Sequence, residues 1–317
     1  MERNIPICFI NMLCSWYNKM YTCVRWETKV TGFSQLSAGV RQGGVLSPIL
    51  FAIYVDGVLQ RLSKSKLGCH IKKTCLNAFM YADDLLLLST SVTDLQNIIS
   101  ICLEEFDKLD LAVNVSKSAC LRIGPRNNVK CASISSGDVA IAWCENIRYL
   151  GIFILSGKKF CCNFDKCRAN FYRSFNSIYS KIGSTSSPSV ILSLLSSYCL
   201  PVLIYGIECI CINAREMQRL DLAYSRAFMK IFSSFDKMVI MQCQYYSGYL
   251  PLKQLCDLRR LNFLSNIVKN EHPLFTCFRL VTQAERNSIM KLYSCNLSDN
   301  MNVIKHKIWN DFENLLI

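Results

Sequence analysis

Between Phe79 and Leu88 the chain reads Phe-Met-Tyr-Ala-Asp-Asp-Leu-Leu-Leu-Leu, two adjacent carboxylates set between two apolar runs. Apolar runs this short, bounded by polar residues, predict buried strands, and Ala82-Asp83-Asp84 then forms the tight turn of a hairpin. Neighbouring acids repel each other, and burying either one unpaired costs several kcal/mol. A divalent cation removes both difficulties. Magnesium takes hard oxygen ligands, usually one or two carboxylates together with phosphates and water. An acid pair at a hairpin turn also arises for plain solvation, because Asp tolerates turn geometry. The pair therefore gains meaning from the rest of the chain.

The chain has 317 residues, enough for a sizeable core and for two units. Lys and Arg number 36 against 23 Asp and Glu, a formal net charge of +13. That excess points to a polyanionic partner, nucleic acid first and an acidic membrane second, although charge also serves solubility. The nineteen cysteines lie mostly in apolar runs, as at Cys199, Cys209 and Cys211, without the paired spacing of a zinc ribbon. They read as buried, reduced thiols of an intracellular protein rather than a disulfide set. The apolar start, Ile5 to Trp16, lacks the charge pattern and cleavage site of a signal peptide. The run Tyr198 to Ile212 is broken by Pro201 and Glu208 and is too short to span a bilayer.

Residues 7–20 predict a helix and Tyr21 to Val30 a strand. In Gly39-Val40-Arg41-Gln42-Gly43-Gly44 the glycines permit close backbone approach. Ser47 as N-cap and Pro48 in the first turn predict that a helix begins there, with Ile49, Ala52, Ile53 and Leu59 on its apolar face. Ser91 and Asp94 suit a capping box, and Val92, Leu95, Ile99, Cys102, Phe106 and Leu109 make one helical face. Leu111 to Ile123 predicts a strand carrying Asn114 and Lys117, and a strand pair ends at Asn146 to Ile154. The sum is an α+β unit, an antiparallel sheet with helices on one face.

From about Asn163 the pattern is helical only. Phe164, Cys167, Phe171, Phe175, Ile178 and Ile182 form one stripe, and Ser187-Pro188 opens a helix that Pro201 kinks or ends. Over Asn213 to Phe232, Arg215, Arg219, Arg226 and Lys230 share one side, with Met217, Leu220, Tyr224, Phe228 and Ile231 facing away. A basic stripe backed by an apolar one suits a phosphate backbone, and it equally suits an ordinary solvated helix face.

Taken in order, Gly39 to Pro48, then Phe79 to Asp84, then Asn114 with Lys117, then Tyr149-Leu150-Gly151 resemble the motifs of reverse transcriptases, RNA-directed DNA polymerases of non-long-terminal-repeat retrotransposons. The resemblance covers roughly residues 20–155, and Tyr198 to Gly206 resembles the thumb and connecting region of the same elements. It implies a partial right-hand palm over 1–155, a helical thumb or connection over 156–235 and a further helical region over 236–317. By the same resemblance Asp83 and Asp84 hold two magnesium ions for nucleotidyl transfer, and Lys117 lies near the leaving phosphates. Arg41, Gln42, Gly43, Gly44, Tyr81 and Ala82 meet template and nucleotide, and Leu150 and Gly151 grip the primer. The implied partners are an RNA template, a DNA primer or target and deoxynucleoside triphosphates, in a nucleus or a cytoplasmic ribonucleoprotein.

One departure sets a further expectation. The family uses another aspartate on a strand before the glycine motif, whereas the first aspartate here is Asp56, after it, and Glu2 and Glu27 stand in no matching context. The bulky residue that screens the ribose and the fingers are missing as well. The sequence thus reads as the back half of a polymerase, starting at a methionine internal to the usual frame. Catalysis alone is not expected, because losing a ligand shared by both metals costs several kcal/mol of transition-state stabilisation. The competing expectation is a nucleic-acid-binding remnant without chemistry.

Overall fold

The computed structural model describes residues 5–36, 39, 43–183 and 185–316. Helix α1 (Ile7–Tyr17) buries no side chain. After it come four two-residue strands, β1 (Tyr21–Thr22), β2 (Arg25–Trp26), β3 (Lys29–Val30) and β4 (Ser34–Gln35). The single strand expected over 21–30 is broken because Glu27 turns the chain in the left-handed region, φ 52°, making β2–β3 a hairpin inside the β1–β4 pair.

Helix α2 (Ser47–Ser65) begins with Ser47 already helical and Leu46 as its N-cap, and a proline occupies its first turn. Its buried face is Val55, Val58 and Leu62. The expected face was out of phase, since Ile49 is 57 % exposed. Hairpins β5 (Cys69–Ile71)–β6 (Thr74–Leu76) and β7 (Ala78–Tyr81)–β8 (Asp84–Leu87) follow, both antiparallel. Gly68 must be glycine here: at φ 108° a Cβ would lie 2.6 Å from that of Asn77. Asn77 is itself buried and donates to the Leu62 carbonyl at 2.8 Å.

Helix α3 (Val92–Asp107) starts at Ser91, whose side chain accepts from the Asp94 amide, half of the expected capping box. Its Ile98, Cys102 and Phe106 meet Val58 and Leu62, with Ala78, Met80, Leu85 and Leu87 of β7–β8 against them. The neighbouring Ile99 serves a second core with Cys120, Ile134 and Ile141. That core binds β9 (Ala119–Cys120), β10 (Ile134–Ser136) and β11 (Val139–Trp143), ordered β10-β11-β9. Gln96 locks α3 to this sheet, donating to the Ser135 carbonyl at 3.0 Å and accepting from its amide at 2.9 Å.

Two expectations fail here. Leu111 to Ile123 is not one strand, because the Asn114 side chain accepts from the Lys117 amide and winds Val115–Lys117 into a 3-10 turn. Nor do the strands make one antiparallel sheet. They form separate two- and three-stranded sheets, and β9 runs parallel to β11. The last of them is β12 (Asn146–Tyr149), β13 (Ile152–Leu155) and β14 (Cys161–Asn163), antiparallel throughout.

Beyond β14 no described residue is in a strand. Helix α4 (Asp165–Ile182) buries Phe171 and Phe175. The chain then runs through α5 (Pro188–Leu194), a π-helical turn over Leu195–Cys199, and α6 (Leu200–Leu203). Pro201 cannot donate to an upstream carbonyl, and the wider turn before it absorbs that break without ending the rod. Helix α7 (Ala214–Phe232) buries Leu220, Ala223, Tyr224, Ala227 and Phe228 against α4 to α6. Helices α8 (Lys237–Tyr246), α9 (Leu252–Lys269), α10 (Pro273–Leu292) and α11 (Met301–Asn314) complete the chain. Leu252 and Cys256 of α9 belong to the core of α7, while Leu261 joins the terminal core with Met290, Ile308 and Phe312.

All nineteen cysteines are free thiols. Cys102, Cys120, Cys199 and Cys256 are buried, and burial pushes Cys102 and Cys256 up to about 12. Cys8, Cys14, Cys161, Cys209 and Cys211 are exposed, so an apolar sequence setting did not guarantee burial. No helix among the described residues is long and apolar enough to cross a membrane.

Candidate active site

The acid pair sits at the turn where the apolar runs place it, on strands that are half-buried rather than buried as expected. Strands β7 and β8 pair Ala78 with Leu87, Phe79 with Leu86, Met80 with Leu85 and Tyr81 with Asp84. That register leaves Ala82 and Asp83 as the two-residue link, with Ala82 in the left-handed region at φ 51°. A non-glycine residue there costs about 1–2 kcal/mol, so the turn is maintained by the packing of the strands beneath it. Asp83 and Asp84 are exposed, and Tyr81 is 66 % exposed beside them. Neither carboxylate accepts a hydrogen bond or joins an ion pair among the described residues. Their oxygens are thus open to a ligand from outside the chain.

A second turn comes close. Burial raises the Tyr149 phenol, and Asp84 raises it further, which sets the β12–β13 turn near the acid pair. Leu150 and Gly151 form that turn, both left-handed at φ 46° and φ 85°. The Tyr205 hydroxyl donates to the Leu150 carbonyl at 3.0 Å. A Cβ on Gly151 would lie 3.2 Å from the Tyr205 ring, and one on Gly206 would lie 2.6 Å from the end of Ile152. Two glycines therefore let Tyr205 seat against the turn and tie it to the helical half. In the sequence Tyr205 stands out only as part of Tyr198 to Gly206, the stretch that resembles the thumb region. The signal available was the Tyr-Gly pair closing an apolar run.

The other candidates are spread out. Gly43, at φ 80°, and Gly44 line a cleft of about 420 Å³ with Trp16, Tyr17, Met20 and the start of α2. Arg41 and Gln42 lie outside the described residues. Lys117 is exposed on its 3-10 turn, which packs beside β11.

The four basic residues of α7 divide. Arg219 pairs with Glu216 at 2.7 Å and with Asp165 of α4 at 2.9 Å. The Lys230 ammonium lies 4.6 Å from the Tyr179 ring centre and donates to Asn176 at 3.2 Å. Arg215 and Arg226 are exposed. The stripe is therefore not one free phosphate track, because half of it is used to hold α7 on α4.

For metal, two adjacent hard-oxygen donors without partners among the described residues fit magnesium, which completes its shell with water and phosphates. No group of three or more His, Cys, Asp or Glu side chains that could hold a metal occurs among the described residues. Of the acids named from sequence, Asp56 lies on α2 and accepts from Gln60 at 2.7 Å, and Glu27 is exposed in the β2–β3 turn.

Comparison with known proteins gives the same direction. Residues 5–154 match the family described as Reverse transcriptase (RNA-dependent DNA polymerase). The chain is 25 % identical over 223 residues to a retrovirus-related Pol polyprotein from the type-1 retrotransposable element R2 of Popillia japonica, covering 67 % of this chain and 35 % of that protein. It is 29 % identical over 133 residues to the corresponding polyprotein of the type-2 element R2DM of Drosophila melanogaster, covering 39 % of this chain and 12 % of that protein. A third, from a type-1 R2 element of Bradysia coprophila, is 30 % identical over 135 residues, 43 % of this chain and 15 % of that protein. The first alignment is longer than the family match, so the likeness continues into the residues after 154. The chain spans about a third of the first relative's length and less of the other two.

Proposed function

We propose, for a chain whose residues 5–154 belong to the reverse transcriptase family of non-long-terminal-repeat retrotransposons, that the β7–β8 turn is its catalytic centre for RNA-templated DNA synthesis. One observation carries this: Asp83 and Asp84 stand exposed, adjacent and unpaired at the tip of a hairpin whose strands are packed on α2 and α3. Like charges left unpaired cost stability unless a ligand of opposite sign joins them.

In this reading Asp83 and Asp84 hold magnesium, which when bound supplies charge to the attacking primer hydroxyl and the departing pyrophosphate. Gly43 and Gly44, beside the aromatic wall of Trp16 and Tyr17, offer a flat cleft to the nascent base pair, with Arg41 and Gln42 next to it in sequence. Tyr81 and Ala82 flank the metal turn on the side of the nucleotide. Leu150 and Gly151 steady the primer end, and Tyr205 fixes their turn. Lys117 is the candidate cation for the leaving phosphates. The partial palm over 1–155 and the helical thumb over 156–235 together take template, primer and deoxynucleoside triphosphates, inside a nucleus or a cytoplasmic ribonucleoprotein.

Two carboxylates hold an ion less firmly than three, so magnesium binding at this turn is expected to be weak and primer extension slow at most. Manganese binding followed by electron paramagnetic resonance tests the turn directly. The wild-type chain is expected to bind, and Asp83→Ala with Asp84→Ala to lose that binding. Primer extension on an RNA template, with Asp83→Ala as the control, tests the chemistry. Equal signals from the variant and the wild type would sink the catalytic role of Asp83. The reading of a binding remnant without chemistry is supported by the exposed Arg215 and Arg226, and it predicts nucleic-acid affinity indifferent to Asp83.

A further inference from the structure

We infer that two basic loops, 122–130 and 156–160, form one binding site for a single-stranded nucleic acid, apart from both the acid turn and the α7 stripe. The loops are distant in sequence but joined in space. Ile123 and Gly157 make a parallel bridge, the Gly124 amide donates to the Gly157 carbonyl at 2.8 Å, and the Ser156 hydroxyl donates to the Arg122 carbonyl at 2.8 Å.

The first loop is closed from within. Asn127 donates to the Gly124 carbonyl and Val129 to the Arg126 carbonyl, while the Arg122 guanidinium donates to Val129 and to the Cys131 sulfur. Arg122 is thus committed to holding the loop's shape. Arg126 and Lys130 remain exposed on it, and Lys158 and Lys159 are exposed on the other loop.

None of these four makes an ion pair or a side-chain hydrogen bond among the described residues. No acid occurs between Leu121 and Cys131 or between Ser156 and Cys161. Glu145 is brought to the second loop by the backbone, its carbonyl accepting from the Ser156 amide. Its carboxylate pairs with none of the four cations.

Arg126 is two residues from Gly124 and Lys158 one residue from Gly157, so their Cα atoms lie within about 8 Å and about 4 Å of that pairing. Unneutralised cations on two loops joined by backbone bonds suit a chain of phosphates. An exposed ring on the second loop selects the form of nucleic acid. Phe160, next to Lys159, is 54 % exposed, and an exposed ring beside cations stacks on an unpaired base that a duplex does not offer.

The test uses the full chain, a labelled single-stranded RNA oligonucleotide and its duplex, and fluorescence anisotropy over a salt series. Lys158→Ala with Lys159→Ala is expected to weaken single-strand binding about tenfold at low salt and to flatten the salt slope by about 1.4. Arg215→Ala with Arg226→Ala removes the same charge from α7 and is expected to have a clearly smaller effect. Phe160→Ala should erase the preference for single strand over duplex. Manganese binding at the acid turn should be unchanged in Lys158→Ala with Lys159→Ala, which separates this site from the catalytic reading. Equal losses from the loop and α7 variants would overturn the site, as would a wild type that binds duplex as tightly as single strand. Melting curves monitored by circular dichroism confirm that each variant folds.

Discussion

The β7–β8 turn and helix α7 both carry a cluster of like charge, and the chain treats them in opposite ways. On α7, Arg219 is closed by Glu216 and Asp165, and Lys230 is laid over Tyr179. At the turn, Asp83 and Asp84 are given no cation among the described residues. A charge answered by its neighbours contributes to the fold, whereas an exposed, unanswered pair repels by about 1 kcal/mol in water and leaves its oxygens open to an outside cation. Charge in sequence therefore marks candidates, and pairing in space sorts them. By this criterion Arg126, Lys130, Lys158 and Lys159 belong with the acid turn and not with half of α7.

The comparison breaks most visibly if α7 is emptied from its inner side. Phe228 is fully buried, with Tyr224 at 5.1 Å and Tyr249 at 5.9 Å between ring centres. Phe228→Ala is expected to cost about 3–5 kcal/mol. Urea denaturation followed by circular dichroism should show the midpoint falling sharply. A small loss would mean that α7 is not the centre of the helical core, and the account of its paired charges would fall with it.

A smaller change sharpens the contrast on the polar side. Arg219→Ala removes the link between α7 and Asp165 of α4, and because the pair is solvent-exposed the loss of stability should be slight and should fade at high salt. Nucleic-acid affinity should move less in Arg219→Ala than in Lys158→Ala. The reverse order would make Arg219 a phosphate contact after all.

How much of this was legible in the sequence follows from the same physics. The hairpin was readable because its period, its turn residues and its bounding polar groups all agree, and the switch to helices after Asn163 was readable from one long apolar stripe. The phase of α2 was not. One alanine, two isoleucines and a glycine occur around that helix, and what selects Val58 and Leu62 is the position of α3. Asn114 defeated the strand expected around it because a short polar side chain can cap its own turn. The pairing of Arg219 with Asp165 spans 54 residues, and no local pattern announces it. Nor does any local pattern bring residue 124 to residue 157, or Tyr205 to Leu150.

The least disturbing substitution gives the sharpest answer about the acid turn. Asp83→Asn keeps the size of the side chain and its tolerance of turns, removes one of two repelling charges, and disrupts no hydrogen bond or ion pair among the described residues. Without divalent ions its melting temperature should equal that of the wild type or rise slightly. With magnesium added, the wild type should gain stability in proportion to the logarithm of ion concentration above its dissociation constant, because the ion binds the folded turn alone. The variant should gain little. A wild type indifferent to magnesium, or a variant destabilised without it, would show that the carboxylate serves the fold and would remove the distinction between the turn and α7.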